Sequence, residues 1–154
     1  MRLRNYISKE LTFIIHGPLL KRELLGRLVD NVKQRQPEIN EAALLERLVA
    51  REEEVTTGIG HGVAIPHATL EGLAQALCVV AQIPEGLDFL ALDASPVHVV
   101  FMLLSPPGAT GEHIRLLARI ARLVDSQDFI SCMVSSTTPE DLHACIIAED
   151  ERHV

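Results

Sequence analysis

Apolar positions along this chain follow two periods in turn. Leu20, Leu24, Leu25, Leu28 and Val32 fall at helical spacing with Lys, Arg and Glu between them, predicting an amphipathic helix over 19–35. Gln36-Pro37 stops it, because the residue before a proline is pushed out of the α region. A second helix starts behind Asn40 as N-cap. Ile39 is placed to staple against Leu44, and Leu44, Leu45, Leu48 and Val49 form the buried face. Other stretches read as strands. Residues 11–15 (LTFII) predict a short one ended by His16-Gly17-Pro18. Residues 76–83 (ALCVVAQI) and 97–104 (VHVVFMLL) are apolar enough for strands buried on both faces. Pro84-Glu85-Gly86 reads as a turn, as do residues 93–96 and 105–108. Thr110 offers an N-cap for a helix to about 125, with Ile114, Leu117, Ile120, Ala121 and Val124 inward and Arg115, Arg119 and Arg122 outward. Residues 126–134 predict a short helix. Thr138-Pro139-Glu140-Asp141 opens a last one, which carries Leu142, Cys145, Ile146 and Ile147 into a charged tail. Strands alternating with amphipathic helices predict one α/β domain over 1–154, with helices on both faces of a small sheet.

The polar exception to this pattern is residues 51–67, REEEVTTGIGHGVAIPH. Gly58, Gly60 and Gly62 admit positive φ and let main-chain N–H groups come close to a ligand. Val63, Ala64 and Ile65 make a short buried strand, and Pro66 ends it. His67 is thereby placed at the mouth of a sheet, where a neutral imidazole is a candidate nucleophile or ligand. A surface or hydrogen-bonded structural histidine is the alternative. Residues 68–72 read as a loop, and Glu52, Glu53 and Glu54 as a solvated acidic face.

Composition narrows the function. At 47% hydrophobic the chain can bury a core without metal or disulfides, and with four Phe, one Tyr and no Trp that core is aliphatic. The same shortage removes stacking platforms for single-stranded nucleic acid, and a net charge of −7 argues against nucleic acid or an anionic membrane as partner. Cys78, Cys132 and Cys145 form no CxxC and no paired framework, so reduced thiols in a cytoplasmic protein are expected. No apolar run is long enough to span a membrane.

The groups able to converge are His67, His113, Arg51, the hydroxyls of Thr56 and Thr57, and the amides of the glycine loop. Two imidazoles, a guanidinium and backbone donors suit an anion, and phosphoryl transfer in particular. One His would be the nucleophile and the other a donor to the transferred charge. Arg51 is equally placed as a cation at its helix C-terminus, and His113 as a cap of its own helix. No GxxxxGK[ST] loop, HExxH pair or GxSxG elbow occurs, so nucleotide, metal and serine chemistry are not indicated, and no metal or cofactor is expected. His98, inside its strand, suits a buried structural role.

Arg51-Glu52 followed by residues 56–67, TTGIGHGVAIPH, resembles the signature of the fructose/mannitol-type enzyme IIA domain of the bacterial phosphoenolpyruvate-dependent phosphotransferase system. Leu87-Asp88-Phe89, Asp93 and Pro96-Val97 leading into VVFMLLSPP, and then residues 112–117 (EHIRLL), resemble its second element. The resemblance implies a single α/β domain with a mixed sheet. It implies that His67 is the phosphorylated histidine, charged by the phosphocarrier HPr and discharged to an enzyme IIB domain for sugar uptake. His113 is then the second active-site histidine and Arg51 the arginine that stabilises the phosphoryl group, with Thr57, Gly58 and Gly60 in the region lining the site. A nitrogen-type regulatory module, whose phosphorylation state controls partner proteins, is the alternative within the family. His61 stands where Asn is common.

Overall fold

In the computed structural model, which describes residues 1–153, one six-stranded mixed sheet carries helices on both faces. Two short 3₁₀ turns lead into β1 (Thr12–Ile14), followed by α1 (Lys21–Arg35) and α2 (Glu41–Glu54). Three short strands come next, β2 (Gly58–Gly60), β3 (Val63–Ala64) and β4 (His67–Thr69), then the long β5 (Leu77–Leu87) and β6 (Val97–Ser105). Helices α3 (Thr110–Leu123), α4 (Gln127–Ser135) and α5 (Pro139–Arg152) complete the chain.

The strand order is β1-β5-β6-β3-β2, and β4 pairs with β6 beyond β3. β5 and β6 are antiparallel, whereas β1 runs parallel to β5, and β3 and β4 run parallel to β6. Alternation along the central strands sends Val79, Ala81, Val100, Met102 and Leu104 to the α1–α2 side. Cys78, Val80, Val99, Phe101 and Leu103 go to the α3–α5 side. On the first side Leu24, Leu25, Leu28, Leu44 and Leu48 are fully buried, each contributing roughly 1.5–3 kcal/mol of burial. The helix starts follow local chemistry: Asn40, Ser126 and Thr138 accept from Ala43, Phe129 and Asp141 amides respectively.

Several expectations are corrected. Residues 68–72 are not all loop, since Ala68 and Thr69 pair with Leu104 and Ser105. Pro84-Glu85-Gly86 does not turn the chain but forms an irregular segment within β5, where the register shifts between Gln82 and Leu87. Gly86 is required there: with φ +75, a Cβ would stand 2.8 Å from Cε1 of His98, whose Nδ1 meets the Ile83 carbonyl. Leu20 caps α1 from outside and is 70% exposed. Thr110 is already helical, because the turn through Gly108 (φ +90) delivers Ala109 as the capping residue.

The buried stripe of α3 is His113, Leu116, Ile120 and Leu123, so Ile114 faces solvent. Arg119 does not point out: its Nε donates to Asp150, a buried carboxylate that also accepts from the Leu3 amide. Nor are Cys132 and Cys145 free thiols. α4 and α5 pack together, which brings their Cα atoms to 6.2 Å, and the two are joined as a disulfide. Cys78 is the free cysteine and is buried.

Candidate functional site

Residues 63–69 run beside β6 in two pieces, because Pro66 has no N–H to give the ladder. It still accepts, its carbonyl taking the Leu103 amide at 2.9 Å. The break leaves His67 as the first residue of β4, opposite Leu103, with its side chain half-buried. His67 Nδ1 lies 2.8 Å from the Ile65 carbonyl oxygen. A carbonyl can only accept, so Nδ1 carries the proton and Nε2 keeps its lone pair.

His113, in the first turn of α3, brings its ring centroid to 5.5 Å from that of His67, with the planes tilted by 60°. The residue is 9% exposed, and its Nδ1 lies 2.7 Å from Oγ of Ser105 at the end of β6. Burial, and secondarily the neighbouring His67, hold its pKa below the ordinary histidine value of 6.5. His113 is therefore neutral at neutral pH.

Arg51, in the last turn of α2, donates to the Val55 carbonyl at 3.2 Å, the helix-end role its position allowed. It also borders both cavities that His67 borders. The larger, about 630 Å³, is lined by Arg47, Arg51, Glu54, His67, Thr69 and His113 among others. The smaller, about 230 Å³, adds Thr56, Thr57, Ile59 and Leu117. Arg47, one helical turn before Arg51, carries no motif signal in the sequence. Its Nη1 donates to the Thr69 carbonyl at 2.7 Å and ties α2 to β4.

Thr57 is buried, and both its hydroxyl and its amide donate to the Glu52 carboxylate. Glu52 also takes Lys21 Nζ at 2.6 Å, and the Lys21 ammonium stands 4.3 Å from the centre of the Phe89 ring. The Glu52 side chain is only 5% exposed, so it is no part of a solvated acidic face. The chain folds back after α2 and lays Thr57 over it.

Gly58 and Gly60 do not line either cavity. The Gly58 amide donates to Thr56 Oγ1, and a Cβ on Gly58 would meet Ala91 at 2.8 Å. Gly60 and His61 both have positive φ, and the His61 amide donates to Asp93 at 3.1 Å. At these positions the loop bonds to the protein itself. His61 is exposed at the turn between β2 and β3 and lines neither cavity. Among the described residues no cluster of three or more His, Cys, Asp or Glu could hold a metal ion. Among them, too, no helix is long and apolar enough to cross a membrane.

A mixed α/β fold thus brings two histidines and an arginine to one cleft beside its sheet. The family model described as phosphoenolpyruvate-dependent sugar phosphotransferase system, EIIA 2, matches residues 5–149, and the chain belongs to that family. It is 37% identical over 127 residues to a nitrogen regulatory protein of Pseudomonas aeruginosa, covering 82% of each chain. The crystal structure of the nitrogen regulatory protein IIA-Ntr from Neisseria meningitidis has the same fold, with TM-score 0.83 and 27% identity over 92% of this chain and 97% of that one. The mannitol enzyme IIA of Escherichia coli, solved in complex with phosphorylated enzyme IIB, shares the fold at TM-score 0.72 and 15% identity, over 90% of this chain and 95% of that one.

Proposed function

We propose that this is a cytoplasmic protein in which Nε2 of His67 accepts a phosphoryl group from an HPr-like phosphocarrier and passes it to an enzyme IIB domain for sugar uptake. The observation that carries this reading is the His67 Nδ1 contact with the Ile65 carbonyl, which leaves Nε2 as a free nucleophile. The lone pair of Nε2 forms the new N–P bond. The donor's N–P bond breaks, and its electron pair returns to the donor imidazole. The proton stays on Nδ1, which goes on donating to the Ile65 carbonyl, and that carbonyl stabilises the positive charge that grows on the ring. Arg51 and His113 border the same cleft as donors to the phosphoryl oxygens. Thr57 supports the site through Glu52, and Gly58 and Gly60 through the shape of the loop.

A second reading, in which the phosphorylation state of His67 controls partner proteins, is supported by the likeness to the Pseudomonas aeruginosa nitrogen regulatory protein. Incubation with phosphoenolpyruvate, enzyme I and HPr, followed by intact mass measurement, tests the common core. The wild type should gain one phosphoryl group (about 80 Da) and His67→Ala none. No gain with HPr itself phosphorylated would overturn it. Discharge to a IIB domain then separates transport from regulation.

A further inference from the structure

We propose that Ser105 is a positioning residue: its hydroxyl donates to Nδ1 of His113 and holds that ring as the Nε2–H tautomer, a donor matched to the Nε2 lone pair of His67. This deepens the phosphoryl-transfer reading and rests on it for its consequence, though not for the tautomer itself. Ser105 is fully buried, and Nδ1 of His113, at 2.7 Å, is its hydroxyl's one hydrogen-bond partner among the described residues. A hydroxyl carries one proton that must find an acceptor. If Nδ1–H donated to Oγ, the hydroxyl proton would be left buried with no acceptor, a cost a folded interior rarely bears. With the hydroxyl donating, both groups are satisfied.

The neutral ring then has its proton on Nε2. Protonating His113 would need a proton on Nδ1 as well and would break the arrangement, in keeping with the downward push that burial gives its pKa. His67 has the opposite tautomer because its Nδ1 faces a carbonyl rather than a hydroxyl. One imidazole is therefore set to attack phosphorus and its neighbour to donate to a phosphoryl oxygen, with no proton needing to move before transfer.

The tautomer is read by long-range ¹H–¹⁵N correlation NMR on the whole unphosphorylated protein at neutral pH. We expect His113 as Nε2–H and His67 as Nδ1–H in the wild type, and a mixture at His113 in Ser105→Ala. His113 found as Nδ1–H in the wild type, or unchanged in Ser105→Ala, overturns the proposal. Phosphoryl uptake from phospho-HPr supplies the functional arm. Ser105→Ala should slow it about tenfold, and Ser105→Thr, which keeps a hydroxyl, should restore it. In a His113→Gln background, where the amide supplies a fixed donor, Ser105→Ala should have no further effect. An equal loss in both backgrounds would mean that Ser105 acts by another route. Failure of all phosphorylation with the expected tautomers would sink the function proposed above and leave the hydrogen-bond assignment standing.

Discussion

The Nδ1 atoms of His67 and His113 are both engaged, one on the Ile65 carbonyl and the other on the Ser105 hydroxyl, so each ring has only Nε2 left for a ligand. The ring centroids are 5.5 Å apart, and both rings line the larger cavity. Their neighbours differ in kind: a carbonyl can only accept, whereas a hydroxyl can donate. Backbone placement of those neighbours assigns the two imidazoles different chemistry without any difference in the histidines themselves.

His113 makes the fold sensitive to acid. Its folded pKa is held below the ordinary 6.5, so the folded state binds fewer protons than the unfolded chain as pH falls through that region. Stability is then full above about pH 6.5 and drops as pH falls toward the folded value, staying level below it. The groups around the cleft are His67 on β4 and Arg47, Arg51 and Glu54 on α2. Urea unfolding at about pH 7.5 and about pH 5.5 checks this. The wild type should lose more stability on acidification than His113→Gln. Parallel losses would show that His113 is not the group responsible.

Glu52 organises the approach to the site. Its carboxylate takes Lys21 from α1 and both Thr57 donors from the loop. Glu52→Gln removes the charge that Lys21 faces. The Lys21 side chain keeps 19% exposure and still donates to the Phe89 carbonyl, so the cost falls short of a fully buried pair. We expect about 1–3 kcal/mol of destabilisation, against about 0.5 kcal/mol or less for the exposed Glu53→Gln. Lys21→Met combined with Glu52→Gln should recover part of the loss. Equal effects at positions 52 and 53 would return Glu52 to the solvated face assumed from sequence.

What the sequence disclosed depended on whether a feature was local. The apolar run 97–104 and the capping residues Asn40 and Thr138 carry their signals within a few positions, and β6, α2 and α5 stand where those signals put them. β4 could not be seen that way, because its three residues are a strand only through pairing with β6. The face of α3 was misplaced: the apolar spacing pointed Ile114 and Leu117 inward, whereas the helix buries His113 and Leu116, with His113 bonded to Ser105 of β6. At the site, Pro66-His67 and Arg51 were legible as a motif. Ser105 and Arg47 were not, since each bonds to a different element, Ser105 of β6 to His113 of α3 and Arg47 of α2 to Thr69 of β4. Glu52 was misread for a related reason: a run of three glutamates looks solvated unless the fold of residues 55–57 is known. The partnership of Cys132 with Cys145 likewise depends on how α4 meets α5.

Gly58 is held by packing rather than by a ligand, and the same substitution at two glycines should show it. A Cβ at Gly58 would stand 2.8 Å from Cβ and 2.9 Å from Cα of Ala91, in the loop that also receives Thr56 through the Phe89 carbonyl. Backbone cannot yield as a flexible side chain can, so Gly58→Ala must displace β2 or the 88–92 segment, at about 1–3 kcal/mol. Gly26 lies inside α1, and the nearest atom to its added Cβ is Leu45 Cδ2 at 3.9 Å, an ordinary contact. There Ala restrains the unfolded chain and favours the helix, so Gly26→Ala should stabilise by about 0.5–1 kcal/mol. Thermal unfolding of the two variants should therefore shift Tm in opposite directions. Because Gly58 follows Thr57, its displacement should also slow phosphoryl uptake, whereas Gly26→Ala should leave uptake unchanged. A Gly58→Ala protein with wild-type Tm would mean that the β2 hairpin is free to move away from Ala91, and the loop's self-bonding would no longer account for its glycines.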